Sequence, residues 1–319
     1  MAGGGAILKR AHLRVSRYVE ITPVLVRPLP KPEWKCFENN LRVDLVDREA
    51  FKFNHRLLGH PTLTLENLAR ALPLLPEDQV MYSKGLLSNG DDFEGTFKSK
   101  PKDRSLQQTI EEIRATNSYI MVRAPEAEVS FAGLKQDLLE DTESIIRERR
   151  VGKRAVDAEL YMFIASPNSV TPFHIDRNST FLMQFRGTKT VHVFPQWDER
   201  VVTARDTEAY IAFANTKLPW SPNIDALCTP FTFSPGEALH IPFVSGHHVR
   251  NGADDVSITM SIIFNTDQSV AWRDALAFNH KLRKVLSLVG AQPSAIGTSR
   301  WRDGAKAQLQ RVWEQRRRR

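Results

Sequence analysis

The chain has 319 residues, 41% of them apolar and 25% charged, with a formal charge of +7: enough to bury a sizeable core, and ordinary for a soluble globular protein. Its two cysteines, Cys36 and Cys228, stand far apart and in no metal-ligand spacing, which excludes a disulfide scaffold and suits a reducing cytoplasm. No apolar run reaches the length of a membrane span or of a signal-peptide core, and the charge excess sits on one tail, where residues 300–319 carry eight basic and two acidic side chains.

A basic run at a terminus reads as a solvated end, so neither nucleic acid nor a membrane is an expected partner. Residues 12–60 mix apolar pairs with prolines and charges, and read as irregular structure with one or two strands and a turn at Asn39 and Asn40. Thr64 is a candidate N-cap for a helix marked by Leu65, Leu68, Ala69 and Leu72 and stopped by Pro73 and Pro76. His55 and His60 flank its entry at a spacing that fits no single face, which makes them structural. Ser105 opens a capping-box pattern before Leu106, Ile110 and Ile113. A strand over 118–122 follows, then a helix written by Phe131, Leu134, Leu138, Ile145 and Ile146, with Arg147, Arg149 and Arg150 at its negative end.

From about residue 159 to 265 the pattern changes to short β runs separated by Pro, Gly and Asn, which points to a sandwich or barrel. The stretch 197–231 is long and reads as an insertion that shapes a binding site. The end is helical again. One apolar stripe runs through Trp272, Ala275, Leu276, Asn279, Leu282, Leu286 and Val289 and closes at Gly290 and Pro293. A second runs through Trp301, Ala305, Leu309 and Val312. Such stripes read as core, and two amphipathic helices at a terminus also offer a homodimer contact. With no repeat or low-complexity linker, one integrated domain over 1–319 is expected: a mixed α/β region to 154, a β core over 155–266, and helices with a basic tail over 267–319.

Residues 171–189, TPFHIDRNSTFLMQFRGTK, carry the chemistry. On a strand, His174 and Asp176 leave the same face, and an imidazole beside a carboxylate makes two thirds of the 2-His-1-carboxylate ligand set of non-haem iron oxygenases. His247 or His248 offers the third ligand. Neighbouring residues on a strand face opposite ways, so only one of the two turns inward.

In ordered blocks this region resembles the cupin-like JmjC family of Fe(II)- and 2-oxoglutarate-dependent oxygenases, in particular the asparaginyl-hydroxylase type and its bacterial cupin-like relatives. The blocks are residues 171–176 (TPFHID), 184–189 (QFRGTK), 193–195 (VFP), 235–242 (PGEALHIP) and 247–249 (HHV). The resemblance covers about 161–264. It implies a mainly β protein with flanking helices, its core a double-stranded β-helix, or jelly roll, holding Fe(II) near the open end. His174, Asp176 and His247 would be the ligands, and His248 would pack outside the iron. It further implies that Lys189 holds the far carboxylate of 2-oxoglutarate with Thr171 as its hydroxyl partner, and that Ser261 lies near the cosubstrate. If Lys189 faces inward, Val191 and Val193 do too and His192 faces out. His240 is left to the core.

Two departures stand out. Ser245 and Gly246 replace aromatic residues common in relatives, which should open the wall near the iron, and Thr180 replaces an asparagine of the asparaginyl hydroxylase. The expected activity is hydroxylation of a protein side chain or small metabolite, with 2-oxoglutarate decarboxylated to succinate and CO₂. Two other classes stay open: a non-catalytic jelly-roll binding module, and a metal-dependent cupin enzyme that does not use 2-oxoglutarate.

Overall fold

Two antiparallel sheets face each other in a jelly roll, seen in a computed structural model that describes residues 34–84, 87–92, 95, 112–115 and 117–317. The capping-box pattern at Ser105 and the residues before 34 lie outside those described. By its contacts the chain divides into Met1–Pro32 and Glu33–Arg319, and all that follows concerns the second unit.

The strands in chain order are β1 (Phe51–Asn54), β2 (Val80–Lys84), β3 (Ser118–Arg123), β4 (Val156–Ala165), β5 (Val170–His174), β6 (Ser179–Arg186), β7 (Lys189–Val193), β8 (Thr229–Phe233), β9 (Glu237–Ile241), β10 (His247–Asn251) and β11 (Ser257–Asn265). The larger sheet has the order β1-β9-β6-β11-β4-β3-β2, and the smaller β5-β10-β7-β8. β1, β2 and β3 come from the mixed region, yet β1 pairs with β9, β3 with β4 and β2 with β3, so the major sheet takes strands from both regions. Apolar residues of the major sheet, with Phe37, Phe53, Phe181 and Phe264 in edge and tilted contact, pack against the helix α2 (Val129–Arg149). That helix buries Phe131, Leu134, Leu138, Ile145 and Ile146 at helical spacing, as the sequence predicts. It also buries Asp141, whose carboxylate accepts the backbone N–H groups of Lys35, Cys36 and Phe37 and so fastens the start of the described chain.

Thr64 caps α1 (Leu65–Ala71) through the N–H of Asn67. His60 accepts the N–H of Thr62, and buried His55 bonds the carbonyl of Gln184, so both are structural. The long insertion is partly ordered as α3 (Ala204–Ile211) and a 3₁₀ turn, Pro222–Leu227.

α4 (Asp267–Leu286) starts from a capping box at Thr266 and buries Trp272, Ala275, Leu276 and Asn279, but its stripe leaves the core at the C-terminal end, where Val289 is 76% exposed. α5 (Arg300–Arg317) overturns its expectation outright. It packs through Asp303, Ala307 and Gln310, whereas Trp301 is 80% exposed, and Ala305, Leu309 and Val312 also face solvent. The physical reason is on the buried face. Asp303 accepts the N–H of Gly297 and Gln310 accepts from Lys281, so polar contacts rather than the apolar stripe turn this helix towards the body. Among the described residues no helix is long and apolar enough to cross a membrane.

Candidate metal centre

β5 and β10 lie side by side with His247 opposite His174, so one ring from each strand reaches the same point, with ring centroids 4.2 Å apart. β5 ends at His174, and Asp176 lies in the turn beyond it instead of on the strand. Its carboxylate nevertheless turns back, one oxygen 3.8 Å from His174 Nε2 and the other 3.7 Å from His247 Nε2. One donor atom from each of the three lies within 4.8 Å of the others, close enough for a single ion to reach all of them.

The hydrogen bonds of the two rings select what they can donate. His174 Nδ1 lies 2.7 Å from the carbonyl of Pro172, and His247 Nδ1 lies 3.0 Å from the carbonyl of Ser245. A carbonyl only accepts, so each Nδ1 carries the proton and each Nε2 keeps its lone pair for a metal. Burial, with His247 close by, pushes His174 down to about 4 and keeps it neutral. Two imidazole nitrogens and a carboxylate that converge this way fit a 2-His-1-carboxylate iron site.

Backbone bonds lock the loops that carry these groups. The N–H of Val244 donates to the carbonyl of Asp176, and the N–H of Phe194 donates to the carbonyl of Gly246. Val244 has φ of 52°, a left-handed conformation that costs a β-branched residue strain and persists only where the surroundings enforce it. Gly246 leaves no empty space where its side chain would stand. A Cβ at Gly246 would stand 2.8 Å from the ring of Phe173, which already fills that space and packs on Phe194 and Trp220. Here a small residue marks a close approach rather than a gap.

All six residues singled out in the sequence, Thr171, His174, Asp176, Lys189, His247 and Ser261, line one cavity of about 400 Å³ between the sheets. The parity of β7 holds: Lys189, Val191 and Val193 are buried inward, while His192 turns to the other face and stacks on His248 at 4.4 Å. His248 Nε2 bonds Asp225, and His240 is a core ring that accepts the N–H of Asp47. Thr180, in place of the asparagine, brings its hydroxyl to 3.5 Å from Asp176.

Lys189 is the unusual charge. It is 6% exposed, burial alone pushes it down to about 7, and among the described residues no carboxylate pairs with it. Tyr119, which the sequence reading passed over, joins this end of the cavity with its hydroxyl 3.4 Å from Thr171 Oγ1. Only the inward parity of a strand read as SYIMV could have marked it. From there the cavity follows a cross-strand row over the major sheet, where Leu182 faces Ser261, Ser261 faces Tyr161 and Tyr161 faces Arg123. Four strands at roughly 4.8 Å spacing make a row of about 14 Å, longer than the neighbourhood of the triad itself.

A family model described as a cupin-like domain matches residues 22–269. No curated protein matches the chain. Among solved structures, that of the Escherichia coli ribosomal oxygenase YcfD is similar at 14% identity, over 88% of this chain and 68% of that one, with a TM-score of 0.47. Another E. coli YcfD structure matches at 14% identity over 83% and 63% of the two chains, TM-score 0.46. One in complex with cobalt and 2-oxoglutarate matches at 14% over 84% and 64%, TM-score 0.43. The chain thus spans 63% to 68% of the length of these proteins. Likenesses this distant assign neither activity nor substrate.

The buried lysine makes a stability prediction for the metal-free protein. Its folded pKa of about 7 lies below its unfolded value, so the folded state binds fewer protons between about pH 7 and 10.5 and gains stability as pH rises through that window. Lys189→Met removes the effect. The variant is expected to exceed the parent by a few kcal/mol at pH 6.5, with the gap closing by roughly 1 kcal/mol per pH unit above 7.5. Urea unfolding of both proteins at several pH values checks this, and a gap that stays constant or widens with pH contradicts a buried, unpaired ammonium.

Proposed function

The chain belongs to the cupin-like domain family, and from that membership together with the contents of its cavity we propose that it is an Fe(II)- and 2-oxoglutarate-dependent dioxygenase that hydroxylates a protein side chain or a small metabolite. The observation that carries the reading is a buried lysine that no carboxylate pairs with among the described residues, in the same cavity as a His-Asp-His donor set. A retired binding module has no need of either. A metal cupin without 2-oxoglutarate would leave Lys189 buried at a cost of several kcal/mol with nothing to offset it.

In this reading His174 Nε2, the Asp176 carboxylate and His247 Nε2 hold iron. The ammonium of Lys189 takes the far carboxylate of 2-oxoglutarate, with the hydroxyls of Thr171 and Tyr119 beside it and Ser261 on the wall. Iron with its cosubstrate supplies the oxygen activation and hydrogen abstraction that no side chain can perform. The protein's own share is positional. The carbonyls of Pro172 and Ser245 fix the two imidazoles in the donating tautomer. The bond from the Val244 N–H to the backbone carbonyl of Asp176 fixes the main chain that carries the carboxylate, and Phe173 packs against Gly246 in the segment before His247. The row from Leu182 to Arg123 gives the substrate a path along the sheet.

A cytoplasmic setting accompanies this assignment, since Cys36 and Cys228 are both free thiols. So does a homodimer through the C-terminal helices, whose outward stripe of Trp301, Ala305, Leu309 and Val312 is the candidate surface.

Two measurements test these statements. Purified protein with Fe(II), ascorbate and 2-oxoglutarate is expected to release succinate even without substrate, at a slow rate, and His174→Ala or Asp176→Ala should lower that rate at least 100-fold while circular dichroism stays unchanged. Parent and variants that release succinate equally would refute the ligand set. For the dimer, light scattering on the full chain is expected to give twice the chain mass, and Leu309→Asp combined with Val312→Asp the chain mass itself; a monomeric parent contradicts it.

A further inference from the structure

A second cleft of about 410 Å³ lies away from the metal centre, where three helix ends meet: the C-terminus of α2 with Arg150 and Lys153 beyond it, the N-terminus of α4 at Asp267, and the N-terminus of α5 at Arg300. Its walls carry three cations, Arg150, Lys153 and Arg300, and two carboxylates, Asp267 and Asp303. Among the described residues none of the three cations forms an ion pair, although the surface elsewhere pairs many of its arginines, as in Arg123 with Glu159 and Arg186 with Asp255. More positive charge stands behind them. Arg149 is held below its ordinary value by burial and by the guanidinium groups of Arg48 and Arg300. Unpaired like charges gathered in one cleft repel one another until an anion enters, and a phosphoryl group is the anion that such a set of guanidinium and ammonium donors suits best.

A second and independent feature points to a ligand that also has hydrogen to donate. Asp303 lines the cleft, is 2% exposed and takes the N–H of Gly297 with one carboxylate oxygen, while its other oxygen is buried without a partner among the described residues. A buried acceptor left empty costs about 1–3 kcal/mol, so a group that fills it binds with that advantage. Asp267, exposed at the mouth, is a further acceptor. Unpaired cations and an unfilled carboxylate acceptor on the walls of one cleft match a molecule with an anionic end and hydroxyl groups. We propose that this cleft binds a small phosphate monoester bearing hydroxyl groups, of the sugar-phosphate class, with the phosphoryl group on Arg150, Lys153 and Arg300 and a hydroxyl donating to Asp303.

The cleft has a packed route to the metal centre. Trp272 lines it and stacks on Phe243 at 6.1 Å, and Phe243 lies in the connection between Ile241 and His247, the same connection that holds Val244. Occupancy therefore changes the surroundings of an indole that can be read by fluorescence.

The test is titration of the full chain, followed by calorimetry and tryptophan emission, with ribose 5-phosphate, glucose 6-phosphate and glycerol 3-phosphate, and with inorganic phosphate and ribose as references. At least one ester is expected to bind saturably and at least tenfold tighter than inorganic phosphate, with ribose alone showing no saturation. Arg150→Ala with Arg300→Ala should abolish binding of that ester. Asp303→Asn, which keeps the shape and an oxygen for Gly297, should bring the ester down to the affinity of inorganic phosphate. Equal affinity of every ester and inorganic phosphate would overturn the proposal and leave a general basic patch, and so would unchanged binding in the double arginine variant. Retained succinate release in these variants shows that they are folded, so a loss of binding is read at the cleft itself.

Discussion

The centre of this protein depends on the pairing of two short antiparallel strands. β5 and β10 place His174 across from His247, and that register alone brings two imidazoles from residues 73 positions apart to a centroid distance of 4.2 Å. Because the side-chain period of a strand is two, a slip of one residue would turn His248 inward and send His247 to the face where His192 and Asp225 wait. The register is secured where it matters. Bonds from Val244 to Asp176 and from Phe194 to Gly246 tie the turn before His247 to both neighbouring segments, and the strained backbone of Val244 shows how strongly those surroundings hold it.

Much of this was legible because strands write themselves with period two. Once the resemblance sets Lys189 inward and selects His247, the inward places of Val191 and Val193 and the outward places of His192 and His248 follow from alternation within single strands, and the structure has each of these side chains on the expected face. Position along a strand was less legible. Asp176 lies past the end of β5, and it reaches the same point as a strand residue would only because the turn folds back, a feature of tertiary bonding that no local pattern encodes.

Volume was not legible at all. Gly246 suggested an open wall, but whether a missing side chain leaves a hole depends on what packs there, and the ring of Phe173 does. The same holds for α5. Its apolar stripe was easy to read, and burial was the ordinary inference from it, yet the helix docks through Asp303, Ala307 and Gln310 because polar bonds decide its rotation. Tyr119 and Asp225 were missed for a related reason: each acquires its place from a segment distant in sequence, Thr171 in one case and His248 in the other.

The cavity joins a metal donor set to a buried lysine, and each is costly to keep without what the other implies. An imidazole held near 4 by burial is ready for a metal, and an ammonium pushed down to about 7 is ready for an anion. The most direct test is anaerobic titration of Fe(II) followed by 2-oxoglutarate, watching the weak visible metal-to-ligand charge-transfer band that a bidentate keto acid produces on iron. The band should appear with the parent protein, and Lys189→Ala should raise the 2-oxoglutarate needed to reach half of it by tenfold or more while leaving iron binding unchanged. Iron binding with no band at saturating 2-oxoglutarate, or a band indifferent to Lys189, would contradict the pairing of these two halves of the cavity.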